Sequence, residues 1–273
     1  MMELSEDRRL KMLEFFCQHL IGLGVTYRHK NADDPGMTAR FSVSSGTLIS
    51  VHGSICFLTA GHVLKALDEL RSHDQVEIES AVLVDTLGWK RVSNVPIPFD
   101  LKNARLFFID DEEDGLDFGV ILLEAHHVGL LAKNGVIALS KENWNRQHAI
   151  RFDGFAMLGF PEEFTSQRVS ASGDGTLSPV MFGIKRLEAP PSDRAPTRYP
   201  QFVGHINPEL PLKSVEGMSG GPIFGFRQDG HELRYWVVAL QSSWDRQKRI
   251  TYGCDLPLAA SLMTEWASDA VSA

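Results

Sequence analysis

Three short segments of this 273-residue chain carry side chains suited to acyl transfer. The first is Thr59-Ala60-Gly61-His62, which follows Ser45-Gly46-Thr47 and the apolar stretch Ile55 to Leu58. The second is Asp117-Phe118-Gly119-Val120-Ile121-Leu122-Leu123, and the third is Gly217-Met218-Ser219-Gly220-Gly221-Pro222. A serine hydroxyl is a weak nucleophile near neutral pH unless a neighbouring base takes its proton. Histidine, with an unperturbed pKa near ~6.5, can accept that proton and return it. A carboxylate beside the histidine fixes its tautomer and stabilises the imidazolium that forms. His62, Asp117 and Ser219 supply these three groups. The developing oxyanion needs aimed N–H donors, each worth roughly 2.7–4 kcal/mol. The backbone of Gly217 and Ser219 offers two, and Gly220 and Gly221 make room around the turn.

Each residue also has a plainer reading. A serine between glycines is usually a turn, and a histidine after an apolar strand is usually structural. Asp110, Asp111 and Asp114 form an acidic run of the kind that is solvated; only Asp117 directly precedes an apolar strand. The three motifs together favour the chemical reading. Cys56 lies six residues before His62, but inside an apolar strand, and reads as a buried, inert thiol. Cys254 reads as core. His29 and the pair His126-His127 lack a partner spacing that points to a metal and read as surface histidines. No metal and no cofactor are expected.

The elements that must hold these groups are mostly short strands. Leu4, Leu10, Leu13, Phe16, Leu20 and Ile21 fall near helical spacing, so residues 4–21 read as an amphipathic helix covering a core. Residues 28–38, with Asp34-Pro35-Gly36, read as a loop. Strands are expected near 40–50, 54–60, 76–84, 89–92, 104–109 and 118–123, interrupted by a helical stretch from His62 to Arg71. Residues 126–150 read as a connector. Strand-like sequence resumes at 157–161 and continues near 166–171, 179–187, 201–206, 221–226, 234–241 and 249–254. Ala189 to Tyr199, rich in Pro, Arg and Ser, reads as a solvated loop. Leu258, Leu262, Met263 and Trp266 mark a closing helix over 257–267. Two β-rich halves flanked by helices imply paired barrels around a cleft, although patterning alone does not separate this from a sandwich.

Composition narrows the class. Hydrophobic residues make up 43% and charged residues 23%, ordinary values for a globular domain. A formal net charge of −8 argues against binding nucleic acid by neutralising phosphates. Three cysteines, an odd number, do not read as a disulfide framework and imply a reducing compartment, hence the cytoplasm. The N-terminus lacks the pattern of a secretory signal, and no apolar run is long enough for a membrane span.

The motifs TAGH, DFGVILL and GMSGGP resemble those of the trypsin/chymotrypsin-like serine peptidase family, closest in style to its HtrA-like branch. The likeness covers roughly residues 41–255. The spacing of 55 residues from His62 to Asp117 and 102 from Asp117 to Ser219 is compatible with it. The family implies an all-β fold of two antiparallel six-stranded barrels, with flanking N-terminal and C-terminal helices. On that reading residues 1–39 are a helix and loop, and 40–273 form the peptidase domain. The first barrel spans about 40–125, the second about 150–256, and the C-terminal helix 257–267. His62, Asp117 and Ser219 would be catalytic and Gly217 and Ser219 the oxyanion hole. The edge strand Val238 to Ser243, with Ser242 and Ser243, would pair with substrate backbone. Lys213, six residues before Ser219, would sit at the base of the specificity pocket and favour an acidic side chain.

One departure is informative. Zymogen-activated members carry an aspartate just before the nucleophile, and Met218 stands there. Activity independent of N-terminal cleavage is therefore expected, with control left to a regulatory protein partner, a loop or ordering of the oxyanion turn. The leading expectation is a serine endopeptidase acting on peptide or protein through an acyl-enzyme. The alternatives are a silent protease-like binding module and a non-peptide acyl hydrolase.

Overall fold

The computed structural model describes residues 6–30, 39–85, 87–144, 150–164, 177–260 and 262–263. Helix α1 (Glu6–Phe16) passes through a short 3-10 turn into β1 (Ile21–His29). The first lobe continues with β2 (Arg40–Val51), β3 (Ser54–Thr59), α2 (Gly61–Ser72), β4 (Val76–Val84), β5 (Ile97–Pro98), β6 (Leu106–Asp111) and β7 (Leu116–Leu122). Helices α3 (Ala125–Lys133) and α4 (Lys141–Trp144) lead to the second lobe. That lobe holds β8 (Gly154–Gly159), β9 (Val180–Arg186), β10 (Gln201–Ile206), β11 (Pro222–Asp229), β12 (Glu232–Asp245) and β13 (Ile250–Asp255), after which residues 256–260 are helical.

The all-β class with terminal helices is as expected, but the lobes differ from each other. The second lobe is a closed antiparallel barrel in the order β10-β13-β12-β11-β8-β9. The first is a seven-stranded sheet in the order β5-β4-β1-β2-β3-β7-β6. Its additional strand is β1, where the sequence reading ran a helix to residue 21 and a loop from 28. The β-branched and aromatic run Val25-Thr26-Tyr27 and two well-populated ladders decide the matter: β1 pairs with β2 on one side and β4 on the other. Residues 89–92 are not a strand. Trp89 and Val92 are exposed, and the N–H groups of Val92 and Ser93 are both held by Asn134 Oδ1 at 2.8 Å. The expected strand at 166–171 and Trp266 lie outside the described residues.

The lobes share one apolar joint. Leu58, Phe118 and Val120 of the first lobe pack with Leu158, Phe160, Phe224 and Leu240 of the second. Helix α1 covers that joint as expected: the Phe16 ring lies 4.8 Å from Phe224 and 5.0 Å from Tyr235 between centroids. The segment 189–199 is not a free loop. Tyr199 N–H donates to Asp114 O at 2.9 Å, and Arg198 reaches Asp114 at 3.5 Å. The turn ahead of β7, and hence Asp117, is thereby held by the second lobe.

Candidate active site

His62 is the second residue of α2, and its position follows from the glycine before it. A Cβ at Gly61 would lie 1.9 Å from Ile109 O, so only glycine lets the start of α2 touch the β6–β7 hairpin. Ala60 supplies no side-chain cap to this helix. Asp117, one residue into β7, takes that place from outside: its Oδ1 accepts the His62 backbone N–H at 2.9 Å. Its Oδ2 lies 2.8 Å from His62 Nδ1. A third donor, Ser242 Oγ–H, reaches the same Oδ2 at 2.5 Å from the other lobe. Asp117 is 1% exposed, so all three contacts are made in a desolvated place. With Nδ1–H donated to the carboxylate, Nε2 is left as the basic nitrogen.

The Ser219 turn is built onto the same place. Gly217 and Gly220 have φ of 84° and 82°, in the left-handed region. A Cβ at Gly220 would fall 1.9 Å from Thr59 Oγ1 and 2.7 Å from Ala60 N, so the third motif packs directly on the first. Ser45 ties the two lobes: its Oγ–H donates to Gly217 O and accepts from Phe160 N–H, each at 3.0 Å. Two further bonds fix the peptide planes that matter. Glu216 O accepts from Glu162 N–H at 2.7 Å, and Met218 O accepts from Gly221 N–H at 2.8 Å. In a trans peptide the N–H points opposite to the C=O, so these anchors set the directions of the Gly217 and Ser219 N–H groups. Neither N–H is engaged by another group among the described residues. Met218 is fully buried in an apolar cluster with Val215, Leu212 and Met157. Packing therefore anchors this turn without an ion pair.

His62, Ser219 and Gly217 line one cavity of about 190 Å3, with Phe41, Val43, Val63, Phe160 and Glu162 around them. Ser219 Oγ has no hydrogen-bond partner among the described residues, His62 included.

Other expected site residues fall elsewhere. Ser242 does not face substrate with its hydroxyl. A register shift between Gln241 and Ser243 turns it inward, and Asp117 takes its proton donor. Ala239 and Leu240 are not an edge, because in a closed barrel β12 pairs there with both β11 and β13. The pairing with β11 ends at Leu240, so only the stretch from Ser242 to Asp245 has one side unpaired by β11. Ser243 Oγ is buried without a partner among the described residues. Lys213 is exposed, outside the His62–Ser219 cavity, with its N–H held by Glu163 Oε1 at 2.8 Å. The thiols of Cys17, Cys56 and Cys254 are free and buried. Burial pushes Cys56 up to about 11 and Cys254 up to about 12, so neither is a thiolate nucleophile near neutral pH. His127, read as a surface residue, is instead 6% exposed. Sequence reasoning missed Ser45 and the inward role of Ser242; the serine in SGT was visible, but nothing local marked its partners.

Burial would lower the His62 pKa. The Asp117 hydrogen bond and charge, with Asp110 and Glu112 farther out, outweigh it and hold His62 above the ordinary value. For Asp117, burial would raise the pKa, but His62 and Ser242 hold it below the usual carboxylate range. The ion pair thus stabilises the fold at pH values between the two. It is lost as pH falls through the lowered Asp117 value and as pH rises through the raised His62 value. General-base chemistry needs the neutral imidazole, so its window opens where the His62 contribution fades. The acid limb of a kcat/KM–pH profile is expected to have its midpoint above 6.5, the ordinary histidine value. A midpoint at or below that value would show that Asp117 does not control the base.

The molecule is thus a two-lobed all-β protein whose cleft gathers a serine, a histidine held by a buried carboxylate, and two N–H donors set by their peptide planes. No protein-family model matches the chain, and no curated protein sequence matches it. Solved structures do align over most of its length. A thermostable serine protease, AL20, from an extremophilic microorganism aligns with a TM-score of 0.47 at 13% identity, covering 91% of this chain and 96% of that one. The protease Anisep from Arthrobacter nicotinovorans aligns with a TM-score of 0.47 at 14% identity, covering 88% and 90%. A Glu endopeptidase aligns with a TM-score of 0.46 at 12% identity, covering 97% and 94%. At such identities the chemistry must be argued from this chain's own residues. No helix among the described residues is long and apolar enough to cross a membrane.

Proposed function

We propose that the chain is a serine endopeptidase of the chymotrypsin type, with Ser219 as nucleophile, His62 as general base and Asp117 as the group that orients it. The observation that carries this reading is the double grip of a buried carboxylate on His62, through both its backbone N–H and Nδ1, beside a cavity that Ser219 also lines. Ser219 Oγ would bond to the scissile carbonyl carbon as its proton passes to His62 Nε2. The Gly217 and Ser219 N–H groups would receive the oxyanion. His62 would then return the proton to the amine as the C–N bond breaks, leaving an acyl-enzyme. A water attacking the ester, with His62 again taking a proton, would release the acid and restore Ser219. Peptide or protein is the substrate class, since the cleft offers backbone pairing along Ser242 to Asp245 as well as the reacting groups. Within that type, the motifs TAGH, DFGVILL and GMSGGP support an HtrA-like reading.

A fluorophosphonate probe tests the reading in the folded protein. Stoichiometric labelling at Ser219, with hydrolysis of peptides from a mixed library, is expected. Labelling with ester hydrolysis but no peptide cleavage would move the reading to a non-peptide acyl hydrolase. Peptide binding with neither labelling nor turnover would make the fold a binding module.

A further inference from the structure

A second cavity lies away from the cleft. It measures about 630 Å3 and lies on the first lobe, where Phe99, Arg105, Leu122, Leu123, Glu124 and His127 form part of its wall. Glu124 follows the end of β7, and His126 and His127 are the second and third residues of α3. One ligand atom from each of Glu124, His126 and His127 lies within 4.8 Å of the others. His126 Nδ1 is 3.2 Å from Glu124 Oε2, and the two imidazole centroids are 3.8 Å apart.

The second observation is at His127. The residue is 6% exposed, packed 5.3 Å from the Phe99 ring, and its Nδ1 is buried with no hydrogen-bond partner among the described residues. No protein group among the described residues fills Nδ1, so this buried nitrogen is free to meet a ligand. A buried imidazole nitrogen left without a protein partner is the kind of group that an ion can fill.

We propose that Glu124, His126 and His127 form a binding site for a first-row transition cation of the Zn2+ class, with its remaining coordination position open to the cavity. Two imidazoles and one carboxylate suit Zn2+, Co2+ or Ni2+ and do not suit Mg2+ or Ca2+, which take oxygen ligands. The Glu124 carboxylate also offsets the positive N-terminal end of α3 against an added cation. The site and Asp117 lie at opposite ends of β7, roughly 20 Å apart at strand rise. The cation therefore has no place in the Ser219 chemistry. It would clamp the end of β7 to the start of α3, and it stands or falls independently of the proposed hydrolase.

The test is calorimetric titration of chelator-stripped full-length protein with Zn2+, with Mg2+ as the control. One saturable Zn2+ site per chain is expected and none for Mg2+. E124Q and H126A, both at exposed positions, are each expected to weaken Zn2+ binding tenfold or more. Wild-type Tm should rise by on the order of 5 °C at a hundredfold excess of Zn2+ over Kd, and that of H126A should not. Co2+ loaded in place of Zn2+ should give visible d–d absorption, lost in H127A where that variant folds. Absence of saturable Zn2+ binding overturns the proposal and leaves His127 Nδ1 to an ordered water. Binding by both E124Q and H126A within threefold of wild type also overturns it, because the chain's other histidines would then account for the ion.

Discussion

Replacing Ser219 by alanine is expected to lower kcat for peptide hydrolysis by about 10^6-fold while leaving the fold intact. The magnitude follows from the cooperation of the groups: once the nucleophile is gone, His62 and Asp117 have no alkoxide to generate, and their contributions vanish with it. The cleft would still hold substrate, and the Gly217 and Ser219 N–H groups would still favour a tetrahedral oxyanion. A residual 10^3–10^4-fold acceleration over water is therefore expected from positioning alone. The substitution removes one half-buried hydroxyl that has no hydrogen-bond partner among the described residues, so stability should change by less than about 1 kcal/mol. Steady-state kinetics beside a thermal melt check both halves. Turnover within tenfold of wild type in S219A, with the melt unchanged, would assign the chemistry to another group.

The parts of this site that could be read in the sequence are those whose cause is local. Gly61 must be glycine because Ile109 O is 1.9 Å from where a Cβ would sit, and that requirement places His62 one residue later against Asp117. Gly217 and Gly220 are required by a turn with positive φ, and this requirement marks the position of Ser219. Strand β10 is similarly legible, running over the expected residues 201–206, whereas β8 begins at Gly154 rather than 157 and β12 runs on to Asp245 rather than 241. The parts that escaped reading depend on distant partners. Ser45 acts on Gly217, 172 residues away, and Ser242 on Asp117, 125 residues away. The family likeness puts Ser242 on a substrate-facing edge strand, and a regular strand would keep its side-chain alternation. The irregular register at Gln241 and Ser243 breaks it and re-aims the side chain. β1 was lost for a related reason: helical spacing in α1 extends by chance to Leu20 and Ile21, and only the ladders to β2 and β4 show where helix gives way to strand. The burial of His127 is not legible because nothing in its own helix predicts that Phe99 packs on it.

Asp117→Asn separates the two tasks of this carboxylate, and its expected cost is about 10^4-fold in kcat. Three donors converge on Asp117: His62 N–H on Oδ1, and His62 Nδ1–H and Ser242 Oγ–H on Oδ2. A carboxylate accepts all three, whereas an amide offers one oxygen and an NH2 that can only donate. If the amide oxygen keeps the His62 backbone N–H, the NH2 faces Nδ1. The ring must then carry its proton on Nε2, where it cannot accept one from Ser219. If the amide flips, the NH2 meets the backbone N–H of α2 and the helix loses its cap. Either orientation leaves a buried mismatch worth roughly 1–3 kcal/mol of stability. The acid limb of the residual activity should also move to lower pH. Burial would still lower the His62 pKa, but the bond and charge that raise it would be gone. Matched pH–rate profiles and melts of wild type and D117N measure all three effects. A kcat within tenfold of wild type and an unmoved acid limb would mean that the buried carboxylate only caps α2, and that His62 owes neither its tautomer nor its basicity to Asp117.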